Sequence, residues 1–300
     1  IKRMMRLAFT TLRQGGAAGG VGRWSSSSSD PLVVEENKNN VRTIRVNRPK
    51  TLNAWTQPMM KCLKEKIGDA AQDDQTKVVI LTGTDPYYSA GVALNSLIKP
   101  MHPRKLFHIL EGKNAELFNI FLDFPKPIIA AINGPTIGAA TTSATLCDAL
   151  IASDKATFHT PFAALHIPPE GCSSVHFERI MGQKNANRML GEEGWKPTGK
   201  EAAAIGLATD VVPHEELLSF SQALAEKWIK EGKKREIRNC HDIQEYKQVN
   251  LEESRQLATA FFSTEFLMHQ YNFLHSKGKE KPARTMWLAA KTRPFWKLLL

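Results

Sequence analysis

One carboxylate in this chain sits in a setting suited to changing its chemistry. Glu170 lies in FHTPFAALHIPPEGCSS, between the pair Pro168-Pro169 and the run Gly171-Cys172-Ser173-Ser174. Prolines lock φ and remove backbone donors, so the chain leading to Glu170 is stiff. Gly171 permits a sharp turn, and Ser173 or Ser174 is placed to cap a helix suggested by SVHFERIM. A carboxylate on such a turn, flanked by Ile167 and the prolines, is set up for a pKa raised by desolvation, as a general base requires. Read alone, the stretch reads first as an acidic surface turn ahead of a helix, so its surroundings must decide.

Two loops could supply the complementary chemistry. Ser89-Ala90-Gly91-Val92-Ala93-Leu94 follows the apolar run KVVILTG, and Asn133-Gly134-Pro135-Thr136-Ile137-Gly138-Ala139-Ala140 follows PIIAAI. Each places small residues where a helix begins, at the carboxyl end of a strand, so unpaired backbone N–H groups can meet an oxygen. Two such donors converging on a thioester carbonyl would form an oxyanion hole. Neither loop has the spacing of a dinucleotide or phosphate-binding glycine motif.

The elements that must position these groups can be read from periodicity. LVVEENKNNVRTIRVNRP predicts a hairpin, TQPMMKCLKEKIGDAAQDD a helix capped by Thr56, and KVVILTG and KPIIAAING two strands buried on both faces. Residues 104–123 read as an amphipathic helix, PTIGAATTSATLC as a helix of small residues, and DALIASDKATF as one or two strands. This alternation implies parallel β-α-β units. After Glu170 the chain turns helical: SVHFERIMG, KNANRML, then GKEAAAIG with a Thr198–Glu201 capping box. A short link, Ala208 to Pro213, leads to EELLSFSQALAEKWIKEG and a last aromatic helix over 250–275.

Of 300 residues, 42% are hydrophobic and 23% charged, which fits a globular protein, and no apolar run reaches the ~18 to 20 residues of a membrane span. Cys62, Cys147, Cys172 and Cys240 lack zinc-site or disulfide-framework spacing, so no metal is expected. The net charge of +10 belongs to the ends: residues 1–29 carry five basic and no acidic residues, and 277–300 carry seven basic and one acidic. The middle is close to neutral, which argues against a dedicated nucleic-acid face. Residues 1–29, Arg- and Ser-rich without acids, have the composition of a transit peptide, with translation expected to start at Met4 or Met5. We therefore divide the chain into a transit or unstructured segment (1–29), a core (30–210), a helical region (211–276) and a basic tail (277–300). In that tail Trp287, Phe295 and Trp296 lie among lysines, either as a loose extension or as a contact for a membrane surface.

NRPKTLNAW, VVILTGTDPYYSAGVAL, KPIIAAINGPTIGAATT, DALIASDKATFHTPF and PPEGCSS, in this order and spacing, resemble the crotonase (enoyl-CoA hydratase/isomerase) superfamily over residues 32–275. The resemblance implies an α/β fold of repeated ββα units wound as a spiral, with a C-terminal helical trimerisation region, assembled as trimers or paired trimers. It implies an acyl-CoA thioester as substrate, with CoA entering as part of that substrate and no separate cofactor. The thioester carbonyl would lie between the amides of Val92 and Ala139. CoA would lie along Lys50, Leu52 and Ala54, with Ser89, Ala90, Gly91, Leu94, Gly138 and Pro168 completing the binding site. Lys50, Lys99, Arg104 and Lys105 are candidates for its phosphates, whereas His159 and His166 read as packing or surface residues.

Family hydratases place glutamates at the positions held here by Thr142 and Phe162, and dienoyl isomerases use an acid near the latter. Their absence leaves Glu170, which resembles the single catalytic Glu of the peroxisomal-type Δ3,Δ2-enoyl-CoA isomerases. That reaction needs one base, which takes a proton from C2 and returns it at C4, while Phe162 and Ile167 keep water out. A hydratase, an acyl-CoA hydrolase, a dienoyl isomerase and a non-catalytic or RNA-binding protein of the same fold are the alternatives. The N-terminal composition favours the mitochondrion in fatty acid β-oxidation; the resemblance itself suggests the peroxisome, but the chain ends in Lys-Leu-Leu-Leu instead of a Ser-Lys-Leu-like address.

Overall fold

The β-branched stretches on either side of Asn39-Asn40 form the hairpin β1 (Val33–Lys38) and β2 (Val41–Val46). Asn39 and Asn40 form its two-residue turn, both at positive φ as a tight hairpin turn of this kind requires. The computed structural model describes residues 31–93 and 101–299. The readings made on residues 1–29, Leu94 and Lys99 lie outside them.

The uninterrupted apolar runs become β3 (Val78–Gly83), β4 (Ile128–Ile132) and β6 (Ala149–Ser153), every residue of which is buried. With the short strand β8 (Asp210–Val212) they lie in one sheet of order β1-β2-β3-β4-β6-β8, antiparallel between β1 and β2 and parallel elsewhere. β8 corrects the expected Ala208–Pro213 link. Three residues are too short for a periodic signal, and their strand character comes from pairing with Ile151–Ser153.

Side-chain alternation divides this sheet cleanly. Val79, Leu81, Ala130, Ile132, Leu150 and Ala152 face the main core, while Val78, Ile80, Ile129, Ala131, Ala149 and Ile151 face the other side. The main core also contains side chains from α1 (Gln57–Gln72), α2 (Pro103–Leu122), α3 (Ala139–Thr145) and α4 (Ser173–Leu190). After α5 (Gly199–Ala204), α6 (Leu217–Glu231) covers the opposite face with Leu217 and Ala225. The predicted capping box of α5 is formed in both directions by Thr198 and Glu201. Thr56 stands at the start of α1 but its side chain caps nothing; its hydroxyl instead accepts from Arg48 Nη1 at 3.4 Å. Gly182 kinks α4 where the two predicted helical pieces meet.

The expected helix over 250–275 is two helices. α7 (Ile243–Phe261) ends at Phe262, and Ser263 accepts from the Phe266 amide to cap α8 (Thr264–Ser276). Residues of the basic tail continue as α9 (Glu280–Trp296), packed on α8. Leu106 and Leu110 of α2, Leu257 and Phe261 of α7, Phe266 of α8 and Trp296 of α9 share an outer core that Ile167 also touches. Among the described residues no helix is long and apolar enough to cross a membrane. A short second sheet, β5 (Thr136–Ile137) with β7 (Phe158–His159), is parallel and lies at the centre of the candidate site.

Candidate active site

Backbone pairing brings the chemically informative segments side by side. Ser89 bridges Thr136, and Thr136 pairs in turn with Phe158. The Ile137 amide donates to Ser89 O at 3.0 Å, and the Gly138 amide donates to His159 O at 2.8 Å. Val92 and Ala139 each lie three residues beyond the bridged pair Ser89–Thr136, so the two loops run forward in register. Their contact is close: a Cβ on Gly91, which has φ +76°, would stand 2.4 Å from Ile137 O. Val92 is bridged to Trp55 through the amides of Trp55 and Ala93, and Ala139 opens α3. The Val92 and Ala139 amides themselves find no acceptor among the described residues.

The Arg48–Ala54 loop is fastened to the first of these loops. Asn53, fully buried, donates to Thr84 O and Tyr87 O at 2.6 Å each and accepts from the Arg48 amide at 2.8 Å. The Ala90 amide donates to Leu52 O at 2.8 Å, and the buried Ser89 hydroxyl donates to Asn53 O while accepting from the Gly91 amide. Lys50 and Leu52 are exposed and Ala54 is half-buried beside this junction. Arg104 and Lys105 are exposed on α2, where they line a surface hollow with His102, His108 and Ile109. Sequence reasoning includes Asn53 in the stretch expected along CoA but not its fastening role, because a loop Asn is ordinarily a turn former and nothing local announces its distant partners.

Glu170 is buried, with 7% of its surface exposed. Burial, with the charge of Glu253 second, pushes its pKa up to about 8. No group among the described residues donates to its carboxylate. Gly171, at φ +68°, has the Phe118 ring of α2 against it: an added Cβ would lie 2.3 Å from Cε1. The turn therefore admits no side chain at this position. Pro168, Pro169 and Ile167 are half-buried, Phe162 and Thr142 are buried, and His166 is exposed with its ring against His269 of α8. His159 is half-buried, and its pKa is lowered to about 4 by burial, with Lys196 adding to it.

The expected serine cap is corrected. The Ser173 hydroxyl donates to Glu170 O at 2.8 Å, so it closes the turn instead of capping the helix. The α4 N-terminus is capped from α7: Glu253 Oε2 accepts from the Cys172 amide at 2.6 Å, and Oε1 accepts from the Ser174 amide at 2.9 Å. His176 completes the frame. Its Nε2 faces Thr145 O at 2.9 Å and must donate, leaving Nδ1 to accept from the Tyr246 hydroxyl at 2.9 Å. Burial lowers its pKa to about 4, consistent with a neutral ring joining α3, α4 and α7. Sequence reasoning missed Tyr246 and Glu253. Their one signal is that Tyr246, Asn250, Glu253 and Leu257 fall on one helical stripe.

A family model described as Enoyl-CoA hydratase/isomerase matches residues 36–283 of this chain. The chain belongs to that family. It is 36% identical over 263 residues to the mouse (Mus musculus) protein named Enoyl-CoA delta isomerase 3, peroxisomal, covering 85% of this chain and 81% of that one. It is also 36% identical over 272 residues to human (Homo sapiens) Enoyl-CoA delta isomerase 2, covering 85% of this chain and 66% of that protein. Among solved structures, the enoyl-CoA hydratase/isomerase from Pseudoalteromonas atlantica T6c superposes with a TM-score of 0.69 at 25% identity, covering 82% of this chain and 98% of that one. The mixed α/β architecture is thus that of the crotonase superfamily, as its sequence motifs imply.

Proposed function

We propose that this crotonase-family chain is a Δ3,Δ2-enoyl-CoA isomerase of fatty acid β-oxidation, with Glu170 as its base. The observation that carries the proposal is a buried carboxylate on a rigid turn, engaged by no donor among the described residues. Thr142 and Phe162, where the sequence resemblance places the family hydratase acids, are buried and carry no carboxylate. The other carboxylate at this turn, Glu253, has both oxygens engaged by backbone amides and is not free to act as a base. The isomerase names of the mouse and human relatives support the same reading.

In this mechanism Glu170, ionised, removes a proton from C2 of a 3-enoyl thioester. The electron pair shifts onto the thioester oxygen as a dienolate, held by the Val92 and Ala139 amides. The same carboxyl then delivers the proton to C4, and the double bond ends at C2–C3 with no net gain or loss of atoms. Phe162 excludes the water that would otherwise add at C3. We propose that CoA and the acyl chain run along Lys50, Leu52, Ala54, Ser89, Ala90, Gly91, Gly138 and Pro168, with Leu94 as the sequence suggests; the exposed Arg104 and Lys105 are available to the phosphates.

Purified protein should convert a 3-enoyl-CoA to its trans-2 isomer, and Glu170→Gln should lose at least about two decades in rate. Hydration of crotonyl-CoA should be negligible beside it; efficient hydration would overturn the reaction class. We further propose a homotrimer, checked by light scattering, and a mitochondrial location supported by the composition of 1–29. Because the mouse relative is named as peroxisomal, imaging of a tagged full-length chain against markers of both organelles decides between them.

A further inference from the structure

The sequence LEESR, residues 251–255, looks like the solvated face of a helix, yet Glu253 is 4% exposed. Burying a carboxylate is costly unless its oxygens are satisfied. Here they are satisfied by two amides of one turn: Cys172 N–H at 2.6 Å and Ser174 N–H at 2.9 Å. These are among the donors that a helix start leaves unpaired, and the positive end of the helix dipole favours a negative charge there. Cys172 also adopts positive φ, 64°, directly after Gly171 at 68°, a pair of left-handed residues that needs external support. Support on one side is the Phe118 ring; on the other it is Glu253.

We propose that Glu253, reaching from α7, is the positioning residue that clamps the Gly171–Cys172 turn and thereby aims the Glu170 carboxylate. The proposal rests on Glu170 being the base. Glu253 acts in two ways. Its paired hydrogen bonds fix the backbone two and four residues beyond Glu170, and its charge opposes ionisation of Glu170, keeping that carboxylate a stronger base. It does not touch substrate, because both oxygens are already committed.

The groups facing this pair from each packed element are few. Cys172 on the turn is a thiol whose Sγ donates to Tyr246 O at 3.3 Å, with burial, aided by Glu253, raising its pKa. His176 on α4 is held against Tyr246 of α7, and His269 of α8 faces His166, with burial lowering its pKa. Glu253 is the group whose charge reaches Glu170; burial raises its own pKa, and its hydrogen bonds from Ser174 and Cys172 oppose that rise and favour the ionised form.

The test is Glu253→Gln in the full chain. Gln keeps one acceptor, removes the charge and turns an N–H₂ toward one of the two amides. With 3-enoyl-CoA as substrate, kcat should fall at least ~10-fold, with KM changed less than ~2-fold, because orientation is lost and binding is not. The acid limb of the kcat/KM profile should move down by ~0.5 to 1 pH unit as the opposing charge disappears. Glu253→Asp, which keeps both oxygens and the charge on a shorter stem, should lower kcat while leaving that limb in place. It also carries the test if the Gln variant fails to fold.

A folded Glu253→Gln protein with a lower melting temperature but parental kcat and pH limb would overturn the clamp, as would a parental Glu253→Asp protein. Glu170→Gln in parallel separates the two ideas. If that variant stays active, the base assignment fails. If it is inactive while the Glu253 variants are parental, only the clamp fails.

Discussion

Glu170 carries a raised pKa for a reason that also bears on stability. Its ordinary value of 4.5 rises to about 8 because burial withdraws water from the carboxylate and Glu253 adds a like charge. The folded protein thus binds a proton at Glu170 more tightly than the unfolded chain does. The group's contribution to stability is fully present below about 4.5 and is lost as pH rises toward 8. Glu170→Gln, which cannot ionise, should melt at a higher temperature than the parent at pH 8, with the difference vanishing near pH 4; calorimetry at the two pH values checks this. With Glu170 as the proposed base, activity should run the opposite way: kcat/KM of the parent should fall as pH drops through a limb near 8, since only the ionised carboxylate accepts a proton. Sequence neighbours identify Glu170 as notable, but the Phe118 ring, 52 residues upstream, is what packs against its turn.

At the level of elements, two glycines are contact points between segments distant in sequence. At Gly91 the backbone of the first donor loop rests on Ile137 O of the second, so a methyl group there must separate loops that Ser89–Thr136 pairing holds in register. Gly91→Ala should leave the sheet intact yet lower kcat/KM by ~10² or more, because the proposed oxyanion hole needs the Val92 and Ala139 amides held together. Steady-state kinetics with circular dichroism on the same sample checks both halves. Gly171→Ala adds left-handed strain to a clash with Phe118 and should cost ~2 to 4 kcal/mol in denaturant unfolding. The hairpin, the buried strands and the α5 capping box were legible because each is written in consecutive residues. β5, β7 and β8, two or three residues each, carry no periodic signal of their own, because pairing partners alone define strands that short.

For the whole molecule, the C-terminal helices cover the side of the main core that carries the Glu170 turn. α7 meets α2 through Asn114 to Ser254 and Asn250 to Asn119 and Ala115, and it supplies Tyr246 and Glu253 to the turn below. α8 and α9 then close the outer core, with Trp296 packed edge-on against Phe262 and Arg293 Nε donating to Phe262 O at 2.6 Å. Removing 277–300 should uncover Phe262 and its neighbours, lower the melting temperature and increase binding of a hydrophobic dye. Trp296→Ala alone should cost ~3 kcal/mol.

Motif order and hydrophobic period determined the family, the main strands and the candidate base, because these properties are written locally and repeat along the chain. The tertiary structure decided that Glu253 points inward, that α7 breaks at Phe262 and that a distant carboxylate caps α4. A charged letter on an amphipathic helix looks the same whether it meets water or two unpaired amides. Only the packing of α7 against the start of α4 distinguishes the two.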